Sequence, residues 1–160
     1  MSKAVLYLVC GKIASGKSTF AQRLSQENNT IFLSQDKWLS TLYPDEIQTI
    51  EDYARCFGRL SEAMGNHISD ILKMGISVTL DFPANTLRVR NWMKTIADNA
   101  QCDAELHYLD VSDEICLKRL ALRNQSGSHE YKVSMEEFKQ FTSYFNVPSL
   151  DEGFHLFVHT

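Results

Sequence analysis

Apolar residues along the chain fall into two kinds of run, and the two kinds alternate. The first kind is short and nearly continuous. It comprises Ala4-Val5-Leu6-Tyr7-Leu8-Val9-Cys10, Thr30-Ile31-Phe32-Leu33-Ser34, Ile76-Ser77-Val78-Thr79-Leu80-Asp81, residues 104–110 and residues 154–158. Such runs, rich in β-branched and aromatic residues, predict strands, and the unbroken apolarity of the first predicts burial on both faces. The second kind is periodic. Phe20, Ala21 and Leu24 mark the inner face of a helix over 17–27. Ile47, Ile50, Ala54, Phe57, Leu60, Met64, Ile68 and Ile71 recur at helical spacing, as one helix or as two broken near Gly58 or Gly65, with Gly75 closing the end. Val89, Trp92, Met93 and Ile96 predict a helix over 87–99. Ser112 reads as the N-cap of a helix reaching Arg123, and Ser134-Met135-Glu136-Glu137 as a capping box opening a helix with Phe138, Phe141 and Phe145. Residues 125–132 are polar, contain Gly127 and read as a loop. Strands alternating with helices predict an α/β layered fold with right-handed crossovers, in a single domain over 1–160.

Composition narrows the class without naming it. At 160 residues, 44% hydrophobic and 22% charged, the chain is long enough to bury a core without metal or disulfide staples. A net charge of -4 argues against generic nucleic-acid binding, though not against a local phosphate pocket. Cys10, Cys56, Cys102 and Cys116 show no metal-ligand spacing, and Cys10 and Cys116 read as buried small hydrophobes. With no leader before the first strand and no run long enough to span a bilayer, the expectation is a cytoplasmic protein with no membrane partner.

The chemistry concentrates where the first strand meets the first helix. Gly11-Lys12-Ile13-Ala14-Ser15-Gly16-Lys17-Ser18-Thr19 satisfies the P-loop pattern, with an apolar strand before it and a helix opening at Lys17. Two glycines let the backbone turn so that successive N–H groups face phosphate oxygens, and the helix N-terminus adds partial positive charge. Lys17 would reach the β- and γ-phosphates, and Ser18 would ligate magnesium. The predicted ligands are a nucleoside triphosphate, ATP, and Mg²⁺. The competing reading is a strand-to-helix turn with no ligand.

With Ser34-Gln35-Asp36-Lys37-Trp38 and Arg119-Leu120-Ala121-Leu122-Arg123-Asn124 following in order, the chain resembles the small P-loop kinases. It is similar to the zeta-toxin-like, polynucleotide-kinase-like and chloramphenicol-phosphotransferase-like groups. The resemblance implies a three-layer P-loop NTPase fold, with a five-stranded parallel sheet in nucleoside-kinase-like order flanked by helices. It implies transfer of the γ-phosphoryl of ATP to a hydroxyl of a small molecule. Asp36 would take the hydroxyl proton, or else Asp36 or Ser34 caps a helix. Asp81, ending the third strand, would hold magnesium through water, or else it caps the following loop. Arg119 and Arg123, four apart on one face, would contact the donor nucleotide; the bland alternative is a solvated face beside Asp113 and Glu114.

Two departures weigh against a nucleic-acid acceptor. Leu39 stands near the place where polynucleotide-kinase relatives carry arginine, and the expected lid over 124–133 offers only His129 and Lys132 as cations. Arg88 and Arg90 could supply charge toward the acceptor, or form an exposed helix face. The acceptor side maps to residues 37–74, where Trp38, Tyr43, Tyr53 and Phe57 could wall a pocket. Tyr53 and Phe57 fit the helical stripe and so read as core, leaving Trp38 and Tyr43 as the stronger pocket candidates. The alternative function is a nucleotide-binding switch or scaffold with slow hydrolysis, although no guanine-reading Asn-Lys-x-Asp string occurs.

Overall fold

The computed structural model describes residues 3–27, 29–127 and 132–160. Strands β1 (Val5–Cys10), β2 (Thr30–Ser34), β3 (Ser77–Pro83), β4 (Asp103–Leu109) and β5 (His155–His159) form one sheet in the order β2-β3-β1-β4-β5. Every pairing is parallel. This is the α/β fold and strand order that the resemblance implies. Among the described residues six α-helices flank the sheet: α1 (Lys17–Leu24), α2 (Gln35–Leu42), α3 (Ile50–Lys73), α4 (Leu87–Ala100), α5 (Asp113–Ser126) and α6 (Met135–Ser143). Central strand β1 is buried on both faces, with Leu6, Leu8, Val9 and Cys10 all inaccessible, as its continuous apolarity predicts.

Helix α3 runs unbroken for 24 residues through both glycines. Each interior glycine costs about 1 kcal/mol relative to alanine. A capping box of Thr49 and Asp52 opens the helix, and Cys56, Leu60, Met64, Ile68 and Leu72 bury one continuous stripe, which outweighs that cost. Gly65 also has a packing reason: a Cβ there would lie 3.3 Å from Trp92 Nε1 of α4.

Of the departures from the sequence expectation, three bear on the site. Helix α2 has no counterpart among the elements that periodicity predicts, because eight residues give no readable period; Ser34 caps it, accepting from Lys37 N, and Leu39 anchors it in the core. Strand β3 does not end at Asp81 but continues to Pro83, through a break in register where Leu8 pairs with Leu80 and Val9 with Pro83. Helix α5 passes Arg123 and reaches Ser126, so the segment expected as loop from 125 is helical at its start, with Gly127 (φ 63°) as its C-cap. The lid residue His129 lies outside the described residues.

One charged pair sits inside the core. Arg90 is wholly buried, and its Nε donates to Glu152 Oε1 at 2.6 Å while Nη1 donates to the Ala84 carbonyl at 2.9 Å. Arg90 therefore supplies no charge toward an acceptor, and it is not on an exposed face. Among the described residues no helix is long and apolar enough to cross a membrane.

Candidate functional site

The carboxyl ends of β1, β2 and β3 open onto a single cleft of about 1140 Å³. This is the position where open α/β sheets bind ligands. The phosphate loop forms its floor. Gly16, the residue before α1, has φ 101°, and Ala14 has φ 64°, a left-handed conformation that costs a residue with a Cβ roughly 1–2 kcal/mol. Left-handed residues alternating with ordinary ones turn successive N–H groups to one side, which makes an anion nest. Gly11 is required by proximity, since a Cβ there would meet Ser15 Oγ at 2.5 Å and the Leu109 carbonyl at 3.1 Å.

Lys17 curls over this loop. Its ammonium donates to the carbonyls of Gly11 at 2.8 Å and Lys12 at 2.7 Å. Burial lowers its pKa to about 8, with Asp81 opposing the shift. Ser18, Asp36 and Asp81 line the same cleft. Asp36 lies one residue inside α2, and the N-cap there is Ser34, so the capping role does not fall to Asp36. Asp81 sits at the register break of β3, while the next residue, Phe82, is buried in the core.

Arginines close the cleft from α5. Arg123 lines it, and burial lowers the pKa of its guanidinium, with the Asp36 carboxylate opposing. Its Nε is buried and finds no hydrogen-bond partner among the described residues. Arg119 Nη1 donates to the Ser15 carbonyl at 3.2 Å and lies 3.8 Å from where a Gly16 Cβ would be. The carboxylates of Asp113 and Glu114 are engaged elsewhere, with Lys12 at 2.7 Å and Lys118 at 3.4 Å. Lys12 thus ties the loop to the start of α5, and Ile13 and Ala14 pack on the small core of Cys116, Leu120 and Phe138 that joins α5 to α6.

The residues present suit a triphosphate and a hard divalent cation. A loop of convergent N–H groups, a lysine and two arginines match phosphate oxygens, and the orphaned Nε of Arg123 marks an unmet need for an acceptor. Ser18 and Asp81 give one hydroxyl and one carboxylate beside Lys17, a sparse oxygen set of the kind Mg²⁺ takes when it keeps its waters and bridges phosphates. Cys10 lies beneath the loop, where burial raises its thiol to about 12, so it is protonated and inert, in keeping with a buried hydrophobe.

Tyr53 and Phe57 pack against the main core, as their stripe predicts, and also line the cleft, joined by Trp92 and Phe141. Tyr43 packs against the same core but is not part of the cleft lining, and neither is Trp38, which is 41% exposed. The stripe that suggests core is wide enough to do both: Cys56 and Leu60 face the sheet, while Ala54 and Phe57 face the cleft. Arg88 and Lys132 also contribute to the cleft lining.

Sequence reasoning misses one residue altogether. The Asn85 side chain clamps the mouth of the loop, accepting from Gly11 N at 2.9 Å and donating to the Gly11 carbonyl at 2.8 Å. No local pattern announces a contact across 74 positions; an asparagine soon after a strand reads as turn chemistry. Asn85→Ala should raise amide exchange over 11–16 by ~5–10-fold, the equivalent of roughly one net hydrogen bond. Exchange rates by mass spectrometry check this, and unchanged protection would show that the clamp contributes nothing.

Comparison with known proteins places this geometry. The chain resembles a provisionally named kinase from Chloroflexus aurantiacus (TM-score 0.78, 19% identity, covering 99% of this chain and 86% of that one). It also resembles Kti12 of Chaetomium thermophilum in complex with ADP-AlF3 (TM-score 0.70, 16% identity, 96% and 88% covered). A third similar structure is the APS kinase CysC of Mycobacterium tuberculosis in complex with AMPPNP and APS (TM-score 0.61, 18% identity, 92% and 85% covered). At such identities the likeness establishes a P-loop kinase-like fold. No curated protein gives a significant match. The family model described as AAA domain matches residues 6–148, nearly the whole chain, and the protein belongs to that family of P-loop proteins.

Proposed function

We propose that the protein is a magnesium-dependent phosphotransferase that moves the γ-phosphoryl group of ATP to an alcohol hydroxyl of a small molecule rather than of a nucleic acid. The observation that carries this reading is the meeting, in one cleft, of a phosphate loop with the Asp36 carboxylate, which acts electrostatically on Arg123 of the same cleft.

In this mechanism the loop N–H groups, Lys17 and Arg119 bind and orient the triphosphate. Ser18, and Asp81 through water, would hold a magnesium ion, which would supply neutralisation of the phosphate charge. The acceptor oxygen forms a bond to the γ-phosphorus as the bond from that phosphorus to the β,γ-bridging oxygen breaks, releasing ADP. Asp36 holds the acceptor hydroxyl and takes its proton. Arg123, with its Nε available to a phosphate oxygen, stabilises the charge spread over the transferred group. The test is a screen of hydroxyl-bearing metabolites, antibiotics and nucleosides with γ-labelled ATP, read by mass shift. Acceptor-dependent addition of one phosphoryl group is expected; hydrolysis alone, at a rate no acceptor changes, would favour a switch or scaffold.

A further inference from the structure

The cleft extends well beyond the phosphate loop, and its far half differs from the near half in kind. The near half is lined by charge: Lys17, Asp36, Asp81 and Arg123. The far half is walled by rings. Tyr53 meets Phe57 edge-on at 5.9 Å and Phe141 at 6.1 Å, and Phe57 meets Trp92 at 6.2 Å. The two halves together enclose about 1140 Å³, more than the ~300–1,000 Å³ of a pocket for one drug-sized ligand, so both can be filled together.

Among the polar groups on this wall, two are buried with an unmet hydrogen bond among the described residues. Gln35, only 1% exposed, lines the cleft; its Oε1 accepts from the Tyr53 hydroxyl at 3.0 Å, while its Nε2 finds no acceptor. The Ser61 hydroxyl, one turn beyond Phe57 on α3, is likewise buried and unpartnered. Buried polar groups are almost always hydrogen-bonded, so two orphans on one wall mark where a bound molecule supplies the missing partners. The Tyr53 bond orients the amide, which presents a donor and so asks for an acceptor atom.

We propose that this far half binds an uncharged alcohol with a flat apolar body and one hydrogen-bond acceptor, its ring among Tyr53, Phe57, Trp92 and Phe141 and its acceptor on Gln35 Nε2. The proposal deepens, and rests on, the phosphotransferase reading above. A polyol is the wrong shape for this site. Hydroxyls set among the four rings would be desolvated, with Gln35 and Ser61 the buried groups that have a bond to give there, and every unmet hydroxyl weakens binding. A charged acceptor is disfavoured because burying its charge against rings is costly, and the charges nearest in sequence to the rings on this lining, Glu62, Arg88 and Glu137, are of mixed sign.

The test uses ligand-observed NMR on the full chain with a non-hydrolysable ATP analogue present. The probes are 4-(hydroxymethyl)benzamide, benzyl alcohol, which lacks the acceptor, and sorbitol. The two aromatic alcohols should bind and sorbitol should not. Gln35→Leu should weaken the benzamide about tenfold, the worth of one hydrogen bond, and leave benzyl alcohol within about twofold. Gly58→Leu supplies a second variant that does not threaten folding: a Cβ at Gly58 meets nothing within 4 Å, the position lines the cleft, and leucine is the better helix former. It should exclude both aromatic probes while the ATP analogue still binds. Sorbitol binding as tightly as the aromatics, or Gln35→Leu affecting the two aromatics alike, would overturn the proposal. If the aromatic alcohols bind but gain no phosphate from ATP, the phosphotransferase reading fails and the pocket assignment stands. If phosphate passes to sorbitol and the aromatics do not bind, the phosphotransferase reading stands and the pocket assignment fails.

Discussion

Asp36→Asn should abolish most phosphoryl transfer, by ~10²–10⁴-fold, while ATP binding stays within about twofold of the parent. The asparagine has the same shape and keeps a carbonyl that can orient a hydroxyl, but it cannot take up a proton. The substitution also spares the local fold. Ser34 remains the cap of α2, and the bond from Tyr53 to Gln35 lies on the neighbouring side chain. Two measurements decide it: single-turnover transfer to an acceptor from the screen, and calorimetric binding of a non-hydrolysable ATP analogue. A loss confined to the transfer step places the base at Asp36. A variant that transfers as fast as the parent removes that assignment, and a variant that no longer binds nucleotide shows instead that Asp36 serves to hold Arg123, whose guanidinium it faces.

Much of the donor side can be read directly from the chain, because its parts are local. A strand buried on both faces has to be continuously apolar, as 4–10 is, and a phosphate loop needs its glycines and lysine at set spacings, as 11–19 has. The capping boxes at Thr49 and Ser134 likewise involve residues three apart. The ring-walled half of the cleft is legible only in outline. Periodicity identifies which residues lie on one face of α3, but not how wide the stripe is, so it places Tyr53 and Phe57 in the core, where they do pack, without showing that they line the cleft as well, and it leaves Trp38 and Tyr43 to a pocket they do not line. The deciding contacts come from α4 and α6, which bring Trp92 and Phe141 to the same wall from distant parts of the sequence. Asn85 and Arg90 escape for the same reason. Their partners, Gly11 and Glu152, are 74 and 62 positions away, and an arginine among polar helix residues looks like solvent-exposed surface until its carboxylate is found beneath it.

That buried pair gives the largest stability effect expected of any single change. Glu152→Ala should destabilise the fold by ~3–5 kcal/mol, because Arg90 cannot follow its charge into water and keeps a desolvated guanidinium with one partner removed. For a chain of this size each kcal/mol moves the melting midpoint by roughly 2–4 °C, so the shift is easily seen in a thermal or urea melt. Glu152 Oε2 also accepts from Ser149 N at 2.8 Å, and loss of that cap adds a smaller part. A double substitution, Arg90→Met with Glu152→Leu, separates the two contributions. Removing both charges should recover most of the loss, since a buried ion pair does little better than apolar residues of similar volume. The Arg90 donation to the Ala84 carbonyl gives the experiment a second reading. Ala84 immediately precedes Asn85, which clamps Gly11, so the double variant can regain its melting point and still show faster amide exchange over 11–16. Recovery of stability without recovery of protection would mean that the pair serves to hold the phosphate loop rather than the core. Full recovery of both would make it a packing element that hydrophobic residues replace.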